Sequence, residues 1–261
     1  IIKEKLPSIL ANIQKFTNLD PLCDLIPVSP SVHYTMGGIP TNKDCQVLDI
    51  NNNIVNGLFA IGEAACMSIH GANRLGCNSL LEIIIFGMHV GNIAKDHILP
   101  YQTKAIDNCP IIDKYINHNN KKTINLYDLR NELQNIMSKY VNVIRNEAEL
   151  RIAIDKLYDI YYEKLPKVNI DDQSLQFNNQ IIAVIELENL TLQAIATAET
   201  ALFRTESRGS HFRSDFPERN DADFLKHRLF QLDITNKTAL IRKSDIIKID
   251  NDILQPGKRQ Y

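Results

Sequence analysis

Several features are missing from this 261-residue sequence, and each absence excludes a class of protein. The longest apolar run, residues 80–88, contains Glu82 and is about half the length needed to cross a bilayer, so we expect no membrane-spanning segment. The net charge is -2 and the basic residues are interspersed with acids, which disfavours nucleic-acid binding. The five cysteines include no C-x-x-C pair, so neither a disulfide framework nor a metal site is predicted.

The start of the sequence also lacks something. Its first residue is Ile rather than Met, and no charged and then apolar leader with a small-residue cleavage site follows. We therefore expect a piece of a longer chain. The odd number of cysteines favours a reducing compartment.

The first 100 residues combine helix and strand patterns. A short helix at residues 2–16 precedes a proline-punctuated connector, and residues 32–41 have strand-like ends around a Gly-Gly pair, where a Cβ would obstruct something. The Asn-rich residues 46–54 are typical of a hairpin or surface loop. Residues 58–61 are predicted to be a short, buried strand.

Helical periodicity begins at Ser79. Ser79 and Glu82 form an S-x-x-E capping box, and the apolar pattern that follows predicts a buried helix as far as residue 98. After a polar linker, three- and four-residue spacing predicts a small antiparallel helical domain. Its three helices are expected at residues 126–144, 148–165 and 180–203. The tail from residue 207 is charged and then alternates weakly, which predicts a small mixed lobe.

The chemistry is expected in residues 57–82. Arg74 lies in the HGANRLG loop, whose small residues allow a ligand to approach the backbone, and a guanidinium is well shaped to clamp a carboxylate. The alternative is a structural arginine paired with an acid such as Glu63. His33 could donate a hydrogen bond to a second carboxylate, or it could be an ordinary core residue.

Two further positions could contact an anion or a hydroxylated ligand. Ser79 and Leu80 begin the helix, where free N–H groups and the helix dipole favour negative charge or an electron-rich ring. Glu63 follows the strand predicted at residues 58–61, and a carboxylate in that place commonly accepts hydrogen bonds from sugar hydroxyls.

Four motifs stand out in order along the chain, namely HYTMGGIPTN, GLFAIGEAA, HGANRLGCNSLLE and ESRGSHFRSDFPERNDADFLKH. In order and spacing, they together resemble the flavoprotein subunit of succinate dehydrogenase and fumarate reductase. The resemblance covers the whole chain. It implies an α/β plus all-α fold, in which part of an FAD-binding α/β domain precedes a three-helix domain and a small C-terminal α+β lobe. The implied divisions are the end of a capping domain and connector (1–31), the C-terminal part of the FAD-binding domain (32–105), the helical domain with its linker (106–205) and the C-terminal lobe (206–261).

Carried over position by position, the resemblance implies roles for five residues. His33 and Arg74 would hold the two carboxylates of succinate or fumarate. Glu63 would bind FAD hydroxyls, and Ser79 and Leu80 would meet the isoalloxazine ring. A helix N-terminus there would stabilise negative charge on the reduced flavin.

The family's partners and location follow from the same resemblance. Electrons would pass to an iron-sulfur subunit and then to quinone, with membrane anchor subunits contacted indirectly. The subunit would lie peripherally on the inner membrane, on its matrix or cytoplasmic face.

One departure from the family pattern is the absence of a G-x-G-x-x-G turn. The diphosphate-binding turn, the histidine that joins FAD covalently and the proton-transfer arginine belong to the N-terminal part of the family's chain. We therefore expect the C-terminal part of the enzyme subunit, inactive alone. The activity predicted is succinate oxidation with FAD, and the alternatives are fumarate reductase, L-aspartate oxidase or a non-enzymatic fragment.

Overall fold

The computed structural model describes residues 1–28, 32–97, 114–115, 123–172 and 174–245. The chain divides into two compact units, Ile1–His33 and Tyr34–Tyr261. The four-part division at residues 31, 105 and 205 stays a prediction.

Within its described residues, the first unit has two helices where the sequence predicted one. Helix α1 (Ile2–Lys5) ends at Leu6, and α2 (Pro7–Thr17) begins with proline at its first position. Proline disfavours the helical conformation in the residue before it, so Leu6 takes φ −131° and the helix breaks there. Asn18 ends α2 in the left-handed conformation.

Short paired strands begin the second unit. Strand β1 (Ile39–Pro40) pairs in parallel with β4 (Ala65–Cys66), and β2 (Gln46–Leu48) pairs antiparallel with β3 (Ile54–Phe59). Of the two alternatives that the sequence left open here, a hairpin or a surface loop, the structure has the hairpin. The Asp49 carboxylate accepts the N–H groups of Asn51 and Asn53, which turns the chain back on itself.

The prediction of a buried strand at residues 58–61 is wrong. Strand β3 ends at Phe59, and all but the last of its residues are exposed, including Leu58 at 50%. The physical reason is that β3 pairs with β2 in a two-stranded antiparallel ribbon, which leaves the faces of both strands uncovered. A buried strand needs packed layers on both of its faces.

Helix α3 (Asn78–Ile93) corrects two further expectations. Cys77, in the left-handed conformation, is the N-cap and makes no side-chain cap, while Ser79 lies inside the first turn. The capping box is therefore wrong. The helix is also not buried along its apolar run, since Leu80 is 62% exposed and Glu82 is its buried residue at 3%. It continues as a 3₁₀ turn, Ala94–His97, and residue 98 lies outside the described residues.

Three longer helices form the main core, as the periodicity predicted. They are α4 (Leu126–Tyr140), α5 (Glu147–Asp159) and α6 (Asn179–Phe203). Each begins after an asparagine whose side chain accepts N–H groups of the first turn, namely Asn125, Asn146 and Asn178. Helix α5 is extended by a π turn, Ile160–Lys164, and a 3₁₀ turn, Leu165–Lys167.

The faces of these helices meet in a continuous apolar cluster. Fully buried members include Leu150, Leu157, Val184 and Leu187. By length and composition alone α6 could cross a membrane, but its buried stripe packs against α4 and α5. We therefore interpret α6 as the central helix of this core.

The tail is mixed, as predicted. Strands β5 (Ile144–Arg145) and β6 (Phe212–Arg213) pair in parallel, so residue 144 belongs to a strand and not to the preceding helix. A short helix α7 (Asp221–Phe224) leads into the antiparallel hairpin β7 (Lys226–Asp233) and β8 (Thr238–Asp245). The rest of the predicted lobe, residues 246–261, lies outside the described residues, as does most of the predicted linker.

Candidate functional site

Arg74 is half-buried in the loop between β4 and α3, and among the residues that the structure describes it makes no ion pair. Within the described ranges its guanidinium makes one long hydrogen bond, from Nη1 to the Leu75 carbonyl at 3.4 Å, and its buried Nε has no hydrogen-bond partner. The predicted alternative, a structural pair with Glu63, is therefore absent. A buried N–H without an acceptor is costly, so this arginine is suited to receive an anion.

The guanidinium rests on an aromatic ring. Its central carbon lies 4.4 Å from the ring centroid of Tyr34, a cation–π contact that orients the side chain. The Tyr34 hydroxyl donates to Glu82 Oε2 at 3.2 Å, and His70 Nε2 lies 2.7 Å from the same oxygen. Burial first, and the Glu82 carboxylate next, raise the pKa of Tyr34, which keeps its hydroxyl protonated.

The segment that carries Tyr34 is packed tightly against the turn after β3. A Cβ at Gly38, where φ is +122°, would lie 2.5 Å from the Ala64 carbonyl oxygen. Gly38 therefore serves the close approach that the sequence predicted for the Gly-Gly pair, whereas a Cβ at Gly37 would meet nothing within 4 Å. Glu63, in the 3₁₀ turn Gly62–Ala64, accepts the Thr35 N–H at 3.0 Å. Its side chain is exposed, and it follows an exposed antiparallel strand instead of the buried strand predicted.

The start of α3 is open to a ligand. Its N-cap makes no side-chain hydrogen bond, unlike the Asn caps of the three core helices. The N–H groups of Asn78 and Leu80 donate to the carbonyls of Leu75 and Cys77, at 3.3 and 3.2 Å, so the N–H of Ser79 is the first-turn donor left for a ligand. Ser79 is half-buried and Leu80 is exposed. A Cβ at Gly71 or Gly76 would meet nothing within 4 Å, so there is room beside this loop.

His33 is exposed and is the last residue of the first unit, while the other four predicted site residues belong to the second. It directly precedes Tyr34 in the chain. The second unit brings together Arg74, Glu63 and the start of α3 around the loop 67–77 and the segment 34–38.

The loop that carries Arg74 is tied to the charged tail. The Ser210 N–H and Oγ both donate to the Ala72 carbonyl, at 3.0 and 2.8 Å, and a Cβ at Gly209 would lie 2.6 Å from that oxygen. Ser68 Oγ and His227 Nε2 are 2.6 Å apart. Burial lowers the pKa of His227, which favours the neutral imidazole.

Sequence reasoning missed three residues that organise the site, namely Tyr34, His70 and Glu82. Glu82 was assigned to a capping box, although it interrupts an apolar helical run. A carboxylate in such a run is expensive to bury without donors, so it could have been interpreted as a buried acid with partners in the neighbouring loops.

Two family models match the chain. The model described as "Fumarate reductase flavoprotein C-term" matches residues 130–261, and the one described as "FAD binding domain" matches residues 1–80.

Individual relatives agree with these models. A succinate dehydrogenase flavoprotein subunit from Rickettsia felis is 37% identical over 273 residues, covering 100% of this chain and 46% of the relative. A fumarate reductase flavoprotein subunit from Mycobacterium tuberculosis is 34% identical and covers 88% of this chain and 40% of the relative. Among solved structures, a mutant E. coli quinol fumarate reductase aligns with TM-score 0.86 and 32% identity, covering 98% of this chain and 43% of the other. The chain thus spans less than half the length of each.

Proposed function

The chain belongs to the succinate dehydrogenase and fumarate reductase flavoprotein family, and we propose that it supplies the dicarboxylate clamp and part of the FAD site of a succinate-oxidising enzyme. One observation carries the proposal: the Arg74 guanidinium is stacked on Tyr34, has a buried Nε without an acceptor, and lies beside glycines that face open space. Because the chain spans under half of its relatives' length, the proposed activity belongs to a full-length flavoprotein.

Arg74 binds one carboxylate of succinate. A planar guanidinium can donate two parallel N–H bonds to a carboxylate, and Tyr34 already restricts its orientation. His33 holds the second carboxylate; this role rests on the family resemblance and on the position of His33 beside Tyr34 in the chain. Two fixed carboxylates would hold the substrate in one orientation, which lowers the entropic part of the barrier.

The residues present fit FAD. Glu63 offers an exposed carboxylate to ribityl or ribose hydroxyls, and the start of α3 offers the N–H group of Ser79 and an apolar surface at Leu80. That N–H group and the helix dipole favour negative charge on a ring placed there. When bound, FAD supplies the hydride-accepting chemistry.

The partners and location in this proposal are those of the respiratory complexes in which such flavoproteins act. We expect an iron-sulfur subunit to bind the protein, with membrane anchor subunits and quinone reached indirectly. The protein would thus be peripheral to the inner membrane, on its matrix or cytoplasmic face. Named relatives include both succinate dehydrogenase and fumarate reductase subunits, so fumarate reduction is the alternative direction.

The test is the variant Arg74→Ala in the full-length flavin-loaded protein. Because only the clamp is removed, we expect the dissociation constant for malonate, a succinate analogue, to rise by roughly 100-fold or more. FAD content should be unchanged. Calorimetric titration measures the first and absorbance of the bound flavin the second.

A matched control is Arg151→Ala, which removes an exposed arginine that pairs with Glu147 four residues before it on α5. It should bind malonate as the unmodified protein does. If Arg74→Ala also binds malonate normally, the clamp is refuted. A parallel assay with L-aspartate identifies the oxidase alternative: turnover with L-aspartate alone would contradict succinate oxidation.

A further inference from the structure

Glu82 is a buried acid that the proposed function does not use. It is 3% exposed on a helix whose apolar neighbours Leu81 and Ile84 are each 58% exposed. An ionised carboxylate is costly to bury unless donors surround it. Here two donors are present, and both converge on Oε2: His70 Nε2 at 2.7 Å and the Tyr34 hydroxyl at 3.2 Å.

These contacts join three separate segments of the second unit. Tyr34 lies on the segment before β1, His70 on the loop after β4, and Glu82 on α3. The rings of Tyr34 and His70 also meet edge to face, with centroids 5.9 Å apart and planes at 84°. The Tyr34 ring is therefore held by a hydrogen bond at its tip and by a ring contact at its side.

The held ring is the one on which Arg74 rests. The guanidinium carbon is 4.4 Å from the Tyr34 centroid, so Tyr34 links Glu82 to the guanidinium of Arg74. A long arginine side chain loses rotamer entropy when it binds a ligand, and a surface that already restricts it reduces that loss. The orientation of Tyr34 thus affects the affinity of the clamp.

We propose that Glu82 is a positioning residue for the carboxylate clamp, acting through its hydrogen bonds to Tyr34 and His70 to fix the guanidinium of Arg74. The inference rests on the proposed function of Arg74. Glu82 would thus affect how tightly the dicarboxylate is held, although Glu82 does not itself contact that ligand.

The test compares malonate affinity among variants of the full-length flavin-loaded protein. Glu82→Leu removes both hydrogen bonds and should raise the malonate dissociation constant roughly tenfold. Tyr34→Phe keeps the ring but removes its donor, and should raise the constant by about threefold to tenfold. Glu82→Gln retains an accepting oxygen and should recover most of the affinity, to within about threefold of the unmodified protein.

A control is available on the same helix. His89 on α3 pairs with Asp44 at 3.1 Å, which is also a histidine–carboxylate contact but does not touch Tyr34 or Arg74. Asp44→Asn should leave malonate affinity unchanged. Thermal unfolding and FAD content of every variant report whether the fold is intact, and if Glu82→Leu does not fold, Tyr34→Phe decides.

A double-mutant cycle separates positioning from general destabilisation. In an Arg74→Lys background the stacked guanidinium is gone, so Glu82→Leu should change malonate affinity less than about twofold. An undiminished tenfold loss there would overturn the proposal. Normal affinity in both Glu82→Leu and Tyr34→Phe, with binding lost in Arg74→Ala, would refute positioning and leave the clamp intact. Normal affinity in Arg74→Ala would instead refute the proposed function itself.

Discussion

Two arginines in different regions of the molecule show how a structural cation differs from one prepared for a ligand. Arg213, in the charged tail, is fully buried, and its Nε and Nη2 both donate to the Asp215 carboxylate at 2.7 Å. Its Nη1 donates to the carbonyls of Ala201 and Leu202 at 3.0 and 3.1 Å. Arg74, in the loop before α3, has a buried Nε with no acceptor.

The difference lies in what surrounds each guanidinium. Around Arg213 the chain provides a carboxylate and helix-end carbonyls, so its donors are used within the fold. Around Arg74 it provides an aromatic ring and glycines, which restrict the side chain without satisfying it. Burial alone therefore does not identify a functional arginine, because the fully buried Arg213 uses its donors within the fold.

The largest effect is expected from Arg213→Ala. The change removes two hydrogen bonds that Asp215 accepts and leaves the carbonyls of Ala201 and Leu202, at the end of α6, without this donor. Because the lost side chain is fully buried and leaves a cavity, the free energy of unfolding should fall by about 3–5 kcal/mol. Urea unfolding followed by circular dichroism measures it. Arg74→Ala should lower it by less than about 1 kcal/mol, since no internal ion pair is lost. Equal destabilisation by the two variants would contradict the distinction between a structural Arg213 and a ligand-binding Arg74.

An effect of intermediate size is expected from His211, two residues before Arg213, on the pH dependence of the free energy of unfolding. Its Nδ1 is 3.0 Å from Arg145 Nη1 and its Nε2 is 3.2 Å from the Arg204 carbonyl. Burial first, and the positive charge of Arg145 next, lower the pKa of His211 to about 4.

The sign follows from proton binding. Between pH 6.5 and about 4 the unfolded chain binds a proton at His211 that the folded chain does not. The free energy of unfolding should therefore be highest above pH 6.5 and fall by on the order of 2–3 kcal/mol as pH drops to 4. In His211→Gln this part of the dependence should vanish. The same pH profile in the variant would contradict a neutral, buried His211.

The helical core was the part most open to prediction from sequence. Its three helices follow from apolar residues at three- and four-residue spacing, and local asparagine caps mark where they begin. The site was only partly predictable. Arg74 stood out in a small-residue loop, but whether it had an acid partner depends on tertiary packing, which spacing does not contain.

The errors around α3 have a common physical cause. Ser79 and Glu82 have the spacing of a capping box, yet Glu82 is held by His70 and Tyr34 from neighbouring loops, so long-range contacts override the local pattern. The predictions that β3 and the apolar side chains of α3 are buried are wrong for the same reason. A run of Leu and Ile indicates a tendency to be buried, and it does not identify what covers it.

A smaller effect tests how the two regions are joined. Gly209 and Gly71 have nearly the same φ, +57° and +60°, but only at Gly209 would a Cβ lie 2.6 Å from the Ala72 carbonyl oxygen. We expect Gly209→Ala to lower the free energy of unfolding by about 2–3 kcal/mol, and the control Gly71→Ala by about 1 kcal/mol. Gly209→Ala should also weaken malonate binding, because Ala72 is two residues before Arg74. Equal effects of the two variants on unfolding would show that the loop tolerates displacement from the tail.

The smallest effect on the free energy of unfolding is expected from a third arginine, Arg151, which is paired but exposed. Arg151 on α5 is ion-paired with Glu147 at 2.7 Å, as close as Arg213 is to Asp215, but its side chain is 64% exposed. Water solvates both charges, so the pair adds little. Arg151→Ala should change the free energy of unfolding by less than about 0.5 kcal/mol in the same urea titration. If Arg151→Ala lowered the free energy of unfolding as much as Arg213→Ala, the ion pair alone would determine how much an arginine stabilises this fold, and burial would add nothing.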